Sequence, residues 1–249
     1  ILVWYKKNQD YYQLRFTKNI GLKYLFYFSF IIVMVIAIFF DPKFLTLALP
    51  FTIICIGLLY LTSAIKINYW YLLSLFIMLI SDILIYTDFK SYFSIICILI
   101  GVYFLLNSLV LKRFVMRYKF QWNALLSLPL VIGTALIIYL IYAISELLIS
   151  YVLKALPFVI FSLAGSITFT ITSYLTYHVV KYDEKVSIMI VAGICIFIVA
   201  LVPINELFFY NKVFTVLINL THVLGLYIFM KFLVNTKYQN DVSETKKYL

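Results

Sequence analysis

Eight long apolar runs, separated by short polar gaps, organise the 249 residues of the chain. They extend over Tyr24–Phe40, Phe44–Ile65, Tyr69–Tyr86, Tyr92–Leu111, Ala124–Ser145, Ala155–Tyr177, Val186–Pro203 and Val213–Met230. Each is close to the roughly 20 apolar residues that an α-helix needs to cross a bilayer core. Polar punctuation ends them: Asp41-Pro42 after the first, Lys112-Arg113 after the fourth and Glu146 after the fifth. The stretch Glu146 to Lys154 is apolar but too short to cross, and reads either as a loop at the interface or as an extension of its neighbours. The pattern predicts an all-α, polytopic transmembrane helix bundle of about eight spans. Its domains are a basic N-terminal segment over 1–23, a membrane domain over 24–234 and a polar tail over 235–249. No motif of the first half recurs in the second.

Composition strengthens this reading. Hydrophobic residues make up 65% of the chain and charged residues 12%, against about half and a quarter in a soluble domain. A soluble fold this apolar would have no polar surface left for water. The net charge of +10 would point to nucleic acid only if it formed a basic patch on a soluble face. Here the basic residues fall in the gaps between apolar runs, so no nucleic-acid partner is expected. With the N-terminus inside, the inner segments hold 16 of the 20 Lys and Arg residues, and the outer loops hold only Lys43, Lys90, Lys154 and Lys212. This asymmetry is the positive-inside pattern, and it predicts that both termini are cytoplasmic. Trp70 and Trp122 open spans at the inner face, while Tyr86, Tyr92, Phe93, Tyr142, Tyr151, Phe208, Phe209 and Tyr210 surround the outer one, as aromatic belts do. The first run lacks a following small-residue cleavage site and reads as a span rather than a signal peptide. The initial Ile1 leaves room for an upstream segment. The expected location is a bacterial cytoplasmic (inner) membrane, with membrane lipids as partners.

Candidate chemistry comes from polar residues inside the apolar runs, where an ionisable side chain costs about 2.5–3.5 kcal/mol on insertion scales and usually faces the protein interior. Asp82, preceded by Ser81, is the acidic residue set well within a span. It reads either as an interfacial carboxylate reaching water or as a functional group. His222 sits near the middle of the last span, and Asn219, three residues earlier, shares its helical face. This pair reads either as a site or as interhelical hydrogen-bonding glue. Asp82 leaves the third span near the outer side and His222 enters from that side, so the two can approach one another. Asn205 and Glu206 stand at an outer helix end, as does Glu146, where the bland reading is a solvated flank. Asn107 and His178 lie near inner ends. Gly101, Gly133, Gly165, Gly193 and Gly225 are expected at close helix crossings. Cys55, Cys97 and Cys195 lie inside apolar runs and read as small buried residues. No metal-ligand spacing and no phosphate-cradling loop is present, so neither a metal nor another cofactor is expected.

The segment Ile80-Ser81-Asp82-Ile83-Leu84-Ile85-Tyr86, followed by a short acidic turn at Asp88 and a span opening near Phe93, resembles the lysoplasmalogenase-like (YhhN-like) membrane proteins. Their third span carries a Gly/Ser-Asp pair, and the eight-span layout with cytoplasmic ends is similar. Leu49-Pro50 stands where the family tends to have Lys-Pro. Ala192-Gly193-Ile194-Cys195-Ile196-Phe197 resembles the opening of the family's seventh span, and Ile204-Asn205 its close. Ala200-Leu201 replaces the family's second Ser-Asp pair, the family's fourth-span His has no counterpart, and His222 and Leu226 fall where its last span has Tyr and Gln. The resemblance implies hydrolysis of the vinyl-ether bond of a lysophospholipid. Asp82 would be the general acid and His222 the base acting on water, with Ser81, Asn219, Asn205 and Glu206 binding substrate. The competing class is a non-catalytic lipid-binding or transporter-like protein that uses the same polar residues to hold a head group. A third is a membrane scaffold in which they only join helices.

Overall fold

The computed structural model describes residues 20–115, 155–179 and 185–236. Its elements are α1 (Ile20–Phe39), a 3-10 turn (Pro42–Phe44), α2 (Leu45–Ser63), α3 (Tyr69–Val115), α4 (Leu156–Val179), α5 (Lys185–Pro203) continuing into a π-helical turn (Ile204–Phe208), and α6 (Lys212–Asn235). No strand occurs among the described residues. Among the described residues six helices are long and apolar enough to cross a membrane, which supports the polytopic membrane reading. The expected spans fall on these helices, apart from Ala124–Ser145, which lies outside the described residues together with Glu146–Lys154, Trp122 and Gly133.

Three helical segments start at short polar side chains. Asp41 accepts a hydrogen bond from the Lys43 N–H, Asn68 from that of Trp70 and Asn211 from that of Val213. These are N-cap bonds, which satisfy donors that the first turn leaves open. In hydrocarbon every polar group needs such an internal partner. Hydroxyls inside the helices meet that need locally. Thr52, Thr87, Thr168, Thr172, Thr176 and Thr221 each donate to the carbonyl four residues back.

One expected boundary narrows to a single residue. The third and fourth spans were expected to be parted by a short acidic turn at Asp88, and they are the two helical arms of α3, which meet at its single non-helical residue, Asp88 (φ −161°, ψ 91°). As one rod, α3 would be roughly 70 Å long, more than twice the hydrocarbon thickness. It folds back instead: Ser74 Oγ donates to Asn107 Oδ1 at 3.0 Å, where a straight helix would hold them roughly 50 Å apart. Asp88 makes the reversal possible by capping the second arm. Its carboxylate accepts from the Ser91 N–H at 3.1 Å and from the Ser91 hydroxyl at 2.6 Å.

The helices close into a ring. α1 packs on α2, α2 on α3, α3 on α4, α4 on α5, α5 on α6, and α6 returns to α1 and α2. The main core runs through the bundle from Ala37, Leu45 and Leu49 to the end marked by Lys112, where Tyr60, Tyr71, Phe229 and Phe232 are all nearly inaccessible. Tyr71 sets its ring edge-on to both Tyr60 and Phe229. A smaller cluster of Ile85, Phe89, Ile96, Val202 and Ile218 occupies the Asp88 end. The outer surface carries large apolar side chains such as Phe28, Ile31, Leu47 and Ile160, a surface suited to lipid tails. Exposed aromatics gather at the ends: Tyr69 and Trp70 at one, Phe39, Phe209 and Tyr210 at the other.

Two glycines act as expected at helix crossings, and a third does so less severely. A Cβ on Gly165 would stand 2.8 Å from the carbonyl oxygen of Gly101, and one on Gly101 would stand 2.6 Å from the Phe161 ring. The second arm of α3 and α4 therefore touch almost backbone to backbone. A Cβ on Gly225 would meet the Ile194 side chain at 2.8 Å. Gly193 corrects the expectation, since nothing lies within 4 Å of its added Cβ.

Candidate functional site

Between the two arms of α3 and helices α4, α5 and α6 lies a cavity of about 160 Å³. Most of its wall is aliphatic and aromatic: Met78, Ile85, Phe89, Phe93, Ile96, Ile100, Phe104, Leu156, Val159, Ile194, Ile198, Val202, Ile218 and Leu226 all contribute. Tyr103 and Ser162 add hydroxyls to the wall, and four further polar side chains stand on two helix faces. Asp82 and Tyr86 are one turn apart on the first arm of α3, and Asn219 and His222 one turn apart on α6. Residues spaced by three or four share a helical face, so each helix presents two polar side chains together.

The two faces pair in register. His222 Nε2 lies 3.0 Å from Asp82 Oδ2, with Asp82 3% and His222 7% exposed. One turn away, the Tyr86 hydroxyl donates to Asn219 Oδ1 at 3.1 Å, and Asn219 Nδ2 donates to the Thr215 carbonyl at 2.7 Å. In low dielectric each of these contacts is stronger than in water, and an unpaired member would be costly. The site therefore combines a close contact between a carboxyl group and an imidazole with a mostly apolar recess. Such a pair can give and take a proton, and the recess can hold an alkyl chain.

The network continues towards the α5–α6 turn. Asn205 is fully buried in the π-helical turn. Its Nδ2 donates to Glu206 Oε1 at 2.8 Å and to Thr215 Oγ1 at 3.2 Å, and its Oδ1 accepts the Asn211 N–H at 3.0 Å. The expectation of a solvated flank at Asn205 is thus corrected. The π turn points its amide inward, where it ties the two helices together. Single π turns inside helices often mark functional regions.

Of the residues singled out from sequence, Asp82, His222 and Asn219 meet at the cavity. Ser81 is fully buried but does not line it, and its hydroxyl has no hydrogen-bond partner among the described residues. Asn205 and Glu206 also lie outside the wall. Asn107 is committed to Ser74 and the Tyr103 carbonyl. His178 is exposed, its ring set edge-on to Tyr174 and Tyr177. Tyr86 is the site residue that sequence reasoning assigned elsewhere, to the aromatic belt, although its spacing of four from Asp82 placed it on the same face. Cys97 and Cys195 are wall residues as well. No group of three or more His, Cys, Asp or Glu side chains that could hold a metal occurs among the described residues.

No protein-family model, no curated protein and no solved structure matches this chain.

Proposed function

We propose that this chain is an eight-span membrane protein that takes a single-chain lipid amphiphile into the cavity and hydrolyses a vinyl-ether bond there, as lysoplasmalogenase-like proteins do. The observation that carries the reading is the buried Asp82–His222 contact at 3.0 Å on the wall of a mostly apolar recess. A vinyl ether is an apolar group whose cleavage needs one acid and one base, and both stand here side by side.

In this proposal protonated Asp82 delivers its proton to the alkene carbon remote from the ether oxygen, leaving an oxocarbenium ion next to the carboxylate. His222 takes a proton from water as the water oxygen bonds to the cationic carbon, giving a hemiacetal. Collapse of the hemiacetal moves its hydroxyl proton to the ether oxygen and releases an aldehyde and the glycerol hydroxyl. The proton on His222 then crosses to Asp82 and restores the starting state. General acid and base steps of this kind contribute about 10²–10⁴-fold each. The Asp82–His222 pair would thus do the work that the resembling family assigns to two Ser-Asp pairs. The proposal extends to a bacterial cytoplasmic membrane, with Ala124–Ser145 as the fifth span and both termini cytoplasmic.

A second reading, a lipid-binding or transporter-like protein without catalysis, is favoured by the wall itself, in which Asp82 is the one carboxylate among the described residues. One experiment separates the two. Purified protein in nanodiscs is incubated with a lysoplasmalogen, and both bound lipid and free aldehyde are measured. Aldehyde release that is lost in Asp82→Asn supports the hydrolase. Saturable binding without aldehyde supports the second reading, and neither binding nor aldehyde overturns both.

A further inference from the structure

We propose that the bundle holds a proton relay: a buried row of hydroxyl side chains connects the Asp82–His222 pair to the Lys112 end, the end that the charge asymmetry assigns to the cytoplasm. The inference concerns proton exchange at the pair. It holds whether the cavity hydrolyses a lipid or only binds one.

The row begins on the first arm of α3. Tyr71, Ser74, Ser81 and Asp82 fall on one side of that helix, and all four are nearly inaccessible. The second arm faces them with Tyr103 and Asn107, one turn apart and also buried. Ser74 Oγ donates to Asn107 Oδ1 at 3.0 Å, which fixes the two arms against each other. Met78 interrupts the row between Ser74 and Asp82. Tyr103 crosses that gap: it lines the cavity with Asp82 and interacts electrostatically with both Asp82 and Tyr71. Tyr71 in turn sets its ring edge-on to Tyr60, with centroids 4.7 Å apart. The Tyr60 hydroxyl accepts the Asn68 N–H at 2.9 Å, in the turn that carries the exposed Lys66. From Asp82 to Asn68 the row covers roughly 21 Å of helix.

Hydroxyls buried in a span are costly unless they are paired. Tyr71 and Ser81 are buried, yet neither hydroxyl has a hydrogen-bond partner among the described residues. Polar atoms of this kind are places for bound water. Hydroxyls alternating with water pass protons by exchanging partners. One proton enters the row at the Asn68 turn, another leaves it at Tyr103 for the pair, and every hydroxyl stays neutral. Ionisable side chains inside spans commonly serve such relays.

The Asp88 end is built differently. The Tyr86 hydroxyl donates to Asn219 Oδ1, and the ladder continues through the amides of Asn219 and Asn205, which do not release protons near neutral pH. Ile85, Phe89, Val202 and Ile218 pack together at that end. The other titratable groups on the wall are Tyr86, Tyr103, Cys97 and Cys195. Glu206 lies beyond the wall, in electrostatic reach of Tyr86, and is the competing entry point.

The test follows exchange of the His222 ring N–H with heavy water, without ligand, by proton-detected solid-state NMR in nanodiscs. The chain has two histidines, so a His178→Gln background leaves one imidazole signal. In that background the ring proton should exchange at least about tenfold faster than the α6 backbone amides, which await local opening. Tyr71→Phe removes a hydroxyl without a partner, so a purely structural role predicts no change. The relay predicts that Tyr71→Phe and Tyr103→Phe each slow exchange by at least about tenfold, towards the rate of local opening, while Glu206→Gln leaves it within about twofold. Thermal melts of the same samples verify folding, and Tyr71→Phe alone decides if Tyr103→Phe does not fold. Unchanged exchange in a folded phenylalanine variant overturns the relay. So does a ring proton no faster than the α6 amides, or slowing by Glu206→Gln. None of these results bears on whether the cavity takes a lipid.

Discussion

Asp82 Oδ2 and His222 Nε2 stand 3.0 Å apart although 140 residues separate them in the chain. The contact joins the first arm of α3 to α6 and leaves both side chains on the cavity wall. Asp82→Asn keeps the size of the side chain and an oxygen to face the imidazole but removes the transferable proton. Stability should fall by no more than about 1–2 kcal/mol, since a hydrogen bond is retained. The proposed hydrolysis should fall by at least about 10²-fold, the usual weight of a proton-transfer group. Thermal melts and aldehyde release, measured on the same preparation, check the two halves. Full activity in a well-folded Asp82→Asn protein would exclude acid catalysis by Asp82.

The two histidines should behave differently. His222→Leu leaves Asp82 buried opposite an alkyl group, and breaking a buried polar pair costs about 3–5 kcal/mol. His178→Leu alters an exposed side chain that touches only tyrosine rings among the contacts seen, and exposed changes of this kind stay within about 0.5 kcal/mol. Melting curves of the two variants side by side give the comparison. Equal tolerance would mean that the imidazole of His222 contributes nothing to the bundle.

The reversal of α3 makes a geometric prediction. In a protein without its native cysteines, Ser74→Cys together with Asn107→Cys should form a disulfide under mild oxidation, because the native side chains are in hydrogen-bond contact. A continuous helix would hold the two positions roughly 50 Å apart, far beyond the reach of a bridge. Mass spectrometry of a proteolytic digest detects the product. Failure to cross-link within a single chain would contradict the helical hairpin.

Much of this architecture is legible in the sequence, because in lipid the run length and the polar interruptions decide where helices cross. Asp82, Asn219 and His222 stood out for the same reason, as polar groups in apolar runs that need a partner. Their pairing across 140 residues depends on helix order around the ring, which periodicity does not encode. The turn between the third and fourth spans was legible because the gap holds Thr87, Asp88, Lys90 and Ser91. A single extended residue and a good N-cap suffice to reverse the chain there. Asn205 looked solvated because it follows Pro203 at a helix end, and only the π-helical turn aims it inward. Tyr86 was assigned to the aromatic belt because a tyrosine near a span end has that role by default, whatever its helical phase.

The glycines offer a matched pair of substitutions. Gly165→Ala would place a methyl group 2.8 Å from the Gly101 carbonyl oxygen. Backbone on both sides has little room to give, so overpacking of about 1–3 kcal/mol is expected. Gly193→Ala meets open space, and helix propensity alone should make it neutral or stabilising by up to about 1 kcal/mol. Unfolding in a graded detergent series ranks the two. A Gly165→Ala protein as stable as the wild type would show that α3 and α4 are not in close contact.

Membrane topology follows from combining the charge asymmetry with the bundle. The turns at Asp41–Phe44, at Asp88 and at Asn211 join successive antiparallel helices at one end, and the described basic residues at those turns are Lys43, Lys90 and Lys212. The opposite end carries Lys66, Lys112, Arg113 and Lys231. Positive charge is retained on the cytoplasmic side of a membrane, so the Lys112 end should face the cytoplasm. Reporter fusions at Tyr118 and in the tail beyond Thr236 should then report cytoplasm, and one near Lys154 the outside. Between Tyr118 and Lys154 the chain must cross once for this to hold, and Ala124–Ser145 is the run long enough to do so. A cytoplasmic signal at Lys154 would remove that crossing. α4 would then begin on the cytoplasmic side, against its parallel packing on the second arm of α3, in which Gly101 meets Gly165 and Phe104 meets Phe169. The eight-span arrangement and the bundle therefore stand or fall on the same fusion.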